Sequence, residues 1–227
     1  MKNIRNIFPT LALLLLTAAA NGQISFSNQT SLLQNPATHS DIAVAIADMN
    51  GDGLDDIVRL NGGNQLSIEY QTADGQPFGH YDFGMVSQEC QWSVATADMN
   101  NDGYCDILSG GFYDGVHLLT AMNGGTEYQA TFLPGDNIFI QGSNFADINN
   151  DGHLDVFACH DDGESRIWGN DGTGIFFEAD DWIDMATTPP SDNSGNYGSV
   201  WTDFDNDGDN DLYIAKCRKG VEDPEDP

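Results

Sequence analysis

Hydrophobic residues in this chain come in short runs that turn signals interrupt. Ile42-Ala43-Val44-Ala45-Ile46 and Ser199-Val200-Trp201 lead into Asp/Gly-rich segments, and Asp155-Val156-Phe157-Ala158 and Asp211-Leu212-Tyr213-Ile214 lead out of them. Gln65-Leu66-Ser67-Ile68-Glu69-Tyr70, Val116-His117-Leu118-Leu119 and Arg166-Ile167-Trp168 are further strand-like stretches. After Trp168, Asn170-Asp171-Gly172 predicts a tight turn, with Ile175-Phe176-Phe177 as the returning strand. Runs of this length, without sustained helical periodicity, predict an all-β protein.

The opening is different. Lys2 and Arg5 precede an apolar stretch from Ile7 to Ala20 that is too short to span a bilayer, and Ala18-Ala19-Ala20 offers the small residues of a cleavage site. Residues 1–22 therefore predict a signal peptide cleaved after Ala20 or Gly22, leaving 23–227 as a secreted or cell-surface chain. No second apolar run of about twenty residues follows, so no transmembrane segment is expected.

The Asp/Gly-rich segments repeat. Asp48 to Asp56, Asp98 to Asp106, Asp147 to Asp155 and Asp203 to Asp211 all fit D-x-[DN]-x-D-G-x-x-D. Their first aspartates lie 50, 49 and 56 residues apart, the size of one four-stranded propeller blade. With strand-like flanks, each loop joins two strands of a hairpin.

Aspartate at loop positions 1, 5 and 9, with Asp or Asn at position 3, places four oxygen-bearing side chains on a tightly curved segment. Hard oxygen donors in that number suit calcium, which takes six to eight, better than magnesium, which requires a near-ideal octahedron. Position 7 varies freely, as a residue contributing only its backbone carbonyl would, and glycine at position 6 permits the turn. Metal-free Asp/Gly turns would leave the grouping unexplained, because the side-chain ligand positions of each loop gather three or four mutually repelling carboxylates. An EF-hand needs helical flanks and a glutamate at position 12, where this chain has Arg59, Ser109, Ala158 and Ile214.

These loops resemble the FG-GAP/VCBS repeats of integrin α-subunit propellers and of many exported bacterial proteins. The Phe-Gly and Gly-Ala-Pro signatures of the integrin repeat are not recognisable, so the bacterial form is the nearer resemblance. The resemblance implies a β-propeller with the loop between the first two strands of each blade, and a calcium ion in each loop. The implied ligands are Asp48, Asn50, Asp52, the Leu54 carbonyl and Asp56, then Asp98, Asn100, Asp102, the Tyr104 carbonyl and Asp106. The third set is Asp147, Asn149, Asp151, the His153 carbonyl and Asp155, and the fourth Asp203, Asp205, Asp207, the Asp209 carbonyl and Asp211. About three blades and one hairpin fit in the chain, an incomplete ring, which predicts that the chain is a fragment.

Charge narrows the partners. With 36 acidic against 7 basic residues and a formal net charge of −29, the chain repels phosphate, so nucleic acid is excluded. At 40% hydrophobic residues it is not a disordered polyanion either. Cys90, Cys105, Cys159 and Cys217 lack metal or redox spacing, and in an exported chain disulfides are expected, with three pairings open. The expected function is adhesion or another interaction with an extracellular protein or glycan. Among Trp92, Trp168, Trp182 and Trp201 an exposed ring could stack on a sugar, but a core position is the commoner fate. The rival is a calcium-dependent carbohydrate-active enzyme, a polysaccharide lyase or glycosidase. No G-x-S-x-G or H-E-x-x-H motif supports it, and the many carboxylates single out no acid/base couple.

Overall fold

The computed structural model describes residues 26–37, 43–185 and 194–217. The predicted signal peptide lies outside these residues, as does Ile42 of the first strand-like run. Strands β1 (Val44–Ala47), β2 (Asp56–Asn61), β3 (Gln65–Tyr70) and β4 (Gly79–Met85) form the first sheet. The second holds β5 (Gln91–Ala97), β6 (Asp106–Gly111), β7 (Val116–Met122) and β8 (Glu127–Phe132), and the third β9 (Ile140–Ala146), β10 (Asp155–His160), β11 (Arg166–Asn170) and β12 (Phe176–Glu178). A final hairpin pairs β13 (Asn196–Thr202) with β14 (Asp211–Lys216). Every pairing is antiparallel between consecutive strands, and the only helical elements among the described residues are 3₁₀ turns at Thr30–Leu32 and Asp180–Trp182. The protein is all-β, three blades and a hairpin of an open propeller.

The core lies between sheets rather than inside any one of them. Side chains on a strand alternate between its two faces, so neighbours in sequence serve different interfaces. Ile107 packs with Val58, Leu60, Leu66 and Ile68 of the first sheet, whereas Leu108 packs with Val156, Ala158 and Trp168 of the third. Phe157, next to Val156, turns instead to Trp201, Leu212 and Ile214 of the hairpin. A middle strand with a sheet on both faces is buried along its length, which is why consecutive residues such as Ile107-Leu108 and Val156-Phe157-Ala158 are all apolar, and why the polar groups there, Asp106, Ser109 and Asp155, are buried too.

Outer strands obey the opposite rule. Most of β8 is exposed, and β4 is nowhere fully buried. At the open end Tyr213, which occupies the place of Phe157, is 72% exposed, because no described sheet covers it.

The cysteines depart from expectation: Cys90, Cys105, Cys159 and Cys217 all stand as thiols. Geometry gives part of the reason. Cys90 and Cys105 precede β5 and β6, whose register pairs Gln91 with Gly111 and Ala97 with Asp106, so the two thiols sit at opposite ends of one hairpin. Cys159 lies in the core between third sheet and hairpin, and Cys217 is exposed beyond β14. Burial pushes the Cys105 and Cys159 thiols up to about 11 and keeps them protonated.

The interface core should carry the stability. Leu108→Ala is expected to cost about 2–5 kcal/mol, against roughly 0.5 kcal/mol for Val44→Ala on the exposed face of β1, both read by urea unfolding. Equal losses would contradict this placement of the core.

Candidate metal centre

Each loop runs from the end of a blade's first strand to the start of its second, and all four fold through the same hydrogen bonds. In the first, the Asp48 carboxylate accepts from the backbone N–H groups of Asp52 (3.1 Å) and Gly53 (2.7 Å), and Asn50 Oδ1 accepts from Asp52 N–H (3.0 Å). Asp52 Oδ1 in turn accepts from Leu54 N–H at 2.9 Å. Asp98, Asn100 and Asp102 repeat this set, as do Asp147, Asn149 and Asp151, and Asp203, Asp205 and Asp207. Each side chain thus folds back over its own turn. In the fourth loop oxygens of Asp203, Asp205 and Asp211 lie within 4.8 Å of one another.

The backbone explains a position the motif leaves free. Glycine at position 6 is left-handed, as expected, with φ between +84° and +100°. Position 4 is left-handed too: Gly51, Asn101, Asn150 and Asn206 have φ of 71°, 59°, 60° and 62°. Glycine and asparagine tolerate that region best, so their presence at position 4 is a signal the oxygen pattern overlooks.

Position 9 plays a part that ligand counting does not reveal. Asp56, Asp106 and Asp155 are fully buried. Their Oδ2 atoms accept from N–H of the position 2 residues, Met49 (2.9 Å), Met99 (3.1 Å) and Ile148 (2.9 Å). Their Oδ1 atoms accept from Gln71, Ala121 and Asn170 on or just after the third strand, at 2.7 to 2.8 Å. Each carboxylate therefore pins the loop to the third strand of its blade. Asp211 keeps only the first bond, from Phe204 N–H at 3.0 Å.

Neighbouring loops are also tied. The Asn170 side chain donates to the Met99 carbonyl, Asn210 to the Asp147 carbonyl at 3.1 Å, and Tyr70 Oη to the Gly125 carbonyl in the next blade. Met49 and Met99 bury themselves against the following blade, whereas Phe204 is 74% exposed.

The loops form a negative surface. Ion pairs among the described residues go to Glu69, Asp114, Glu178 and Asp180, and none reaches a loop carboxylate. Burial, with Asp52 and Asp48 close by, pushes Asp56 up to about 6; burial does the same to Asp106, and raises Asp155. Asp209 is raised by the charge of Asp207. Asp151 is lowered, chiefly by the His153 N–H it accepts. In every loop the side chains at positions 1, 3 and 5 curl over the turn, whereas the position 9 carboxylates of the first three loops turn to backbone N–H groups, and among the described residues three carboxylates converge at Asp203, Asp205 and Asp211 of the fourth.

The FG-GAP-like repeat model matches residues 48–109, 98–158 and 147–214, most of the chain and all four loops. The chain belongs to the FG-GAP-like repeat family. No curated protein matches it. Among solved structures, the repeats resemble a lectin of Agrocybe aegerita described for its specific recognition of non-reducing terminal N-acetylglucosamine. The TM-score is 0.55 at 23% identity, over 75% of this chain and 46% of the lectin, a likeness of fold. This FG-GAP chain spans about half of that protein. No helix among its described residues is long and apolar enough to cross a membrane.

Two outcomes follow. Without calcium, Asp106→Ala should cost more than Asp102→Ala, because only the former strands two buried N–H groups, at about 1–3 kcal/mol each; equal losses in chelator would contradict the clamp. Raised folded-state values also mean that the ion-free fold holds protons more tightly than the unfolded chain. In chelator, stability should therefore be greatest below the ordinary value of 3.8 and fall as pH rises to about 6. Thermal unfolding at pH 4, 5, 6 and 7 checks the sign.

Proposed function

We propose that this FG-GAP chain is an exported or cell-surface module that holds about four calcium ions, one per loop, and presents its blades to an extracellular protein or glycan. The carrying observation is the fourfold recurrence of one oxygen arrangement to which, among the described residues, no ion pair brings a protein cation. Repelling carboxylates on an exposed turn call for a counter-charge, and hard oxygen donors select a hard divalent cation. In each loop the side chains at positions 1, 3, 5 and 9 and the carbonyl at position 7 would hold it. The ion would supply charge neutralisation and a rigid link between strands, and no chemistry at a substrate.

Export rests on the leader at residues 1–22, with its basic start and apolar core. A ligand-presenting role is supported by the shared fold with a lectin, and a charge of −29 turns the choice away from nucleic acid.

Elemental analysis after dialysis against millimolar calcium should find about four ions per chain. Asp102→Ala and Asp151→Ala should each lose about one and leave the others in place. A chain that retains no calcium would refute the proposal.

A further inference from the structure

At the blade ends away from the aspartate loops, aromatic rings gather that neither the core nor the loops employ. Trp92 stands at the start of β5, Phe112 and Tyr113 follow β6, and Phe139 precedes β9. β5 runs from Trp92 toward its loop and β6 runs back to Phe112, so strand direction sets the rings opposite the loops. A bridge between Phe112 and Phe139 joins the second sheet to the third at this point. Phe139 is the hub: Trp92 and Phe112 each lie 5.2 Å from it, at 88° and 79°, and Tyr113 lies 5.8 Å away. Phe112 and Tyr113 touch edge to face at 4.9 Å.

These rings are not core. Trp92, Phe112 and Tyr113 are 38%, 48% and 43% exposed. Tyr113 also has φ +52°, a left-handed backbone that bulky residues rarely adopt and that costs energy to hold. Single exposed aromatics need no explanation, but a contiguous group of them marks a contact surface.

We infer that this cluster is a docking platform for a neutral pyranose ring of a glycan. The inference rests on the ligand-presenting role proposed above and gives that role a site. Trp92 and Phe112 pack edge to face on Phe139, Tyr113 lies tilted against it, and the three outer rings are each more than a third exposed, so they offer one contiguous apolar aromatic surface. One face of a pyranose is a plane of C–H groups, weakly positive and apolar, which complements the negative face of an indole or phenyl ring. Acidic sugars are disfavoured. The chain carries −29, and the Arg59 and Arg166 side chains are committed to Glu69 and to Glu178 and Asp180.

The test applies the full chain, in calcium, to an array of neutral and charged glycans and of basic peptides. Tryptophan fluorescence is then titrated with the best neutral oligosaccharide. Saturable binding with a Kd below about 1 mM is expected. Trp92→Ala and Phe112→Ala should each weaken it at least roughly tenfold, and Trp92→Phe should retain most of it, with melting in calcium close to that of the parent chain. Binding of no neutral glycan, binding that survives both alanine variants, or capture of acidic glycans or basic peptides alone would overturn the inference. A chain that takes up calcium but no neutral sugar refutes only the platform. One that binds sugar through Trp92 yet takes up no calcium refutes only the metal reading.

Discussion

The carboxylates of Asp56, Asp106 and Asp155 lie out of solvent and take two backbone N–H donors each, one from their own loop and one from the third strand of their blade. Through that joint a surface loop becomes part of a sheet. The position 2 residue held by the carboxylate is also the one that reaches the next blade, through Met49 and Met99. Loop, blade and blade interface therefore share one hydrogen-bonded unit, and a change in the charge of the loop reaches the core between the sheets. A buried carboxylate surrounded by others is an expensive joint, which is why Asp56 and Asp106 hold their protons up to about 6.

The fourth loop shows what the joint requires. Its turn is hydrogen-bonded like the others, yet Asp211 lacks the second clamp and stays partly exposed, and Phe204 stands in solvent where Met49 and Met99 are buried. The turn therefore forms from local sequence alone, whereas burial of the ninth-position aspartate depends on a third strand. The Asn210 bond to the Asp147 carbonyl nevertheless ties this loop to the third.

Much of this was legible beforehand. The fifty-residue spacing, the all-β class and the middle strands follow from motif and hydrophobic runs, since β6, β10 and β14 begin at the ninth loop aspartate. The outer strands β4 and β8 escaped notice because strands largely open to solvent need no apolar alternation. Counting oxygens led to the expectation of a ligand at the ninth aspartate and concealed its clamp, which depends on partners fifteen residues away. Export chemistry favoured disulfides, but repeat geometry decides which thiols can meet. Trp168 met the expectation of a core tryptophan and Trp92 did not, because Trp92 opens a strand at a blade end.

The central claim is that divalent charge neutralises the loops and so locks the sheets together. Differential scanning calorimetry of the purified chain in millimolar calcium and in excess chelator tests it most directly. Sites tenfold tighter than the free calcium add about 1.4 kcal/mol each, on the order of 5 kcal/mol for four, a large part of a domain's whole stability. The account predicts a melting transition many degrees higher in calcium and restored when calcium is returned after chelation. An identical transition under both conditions would contradict it.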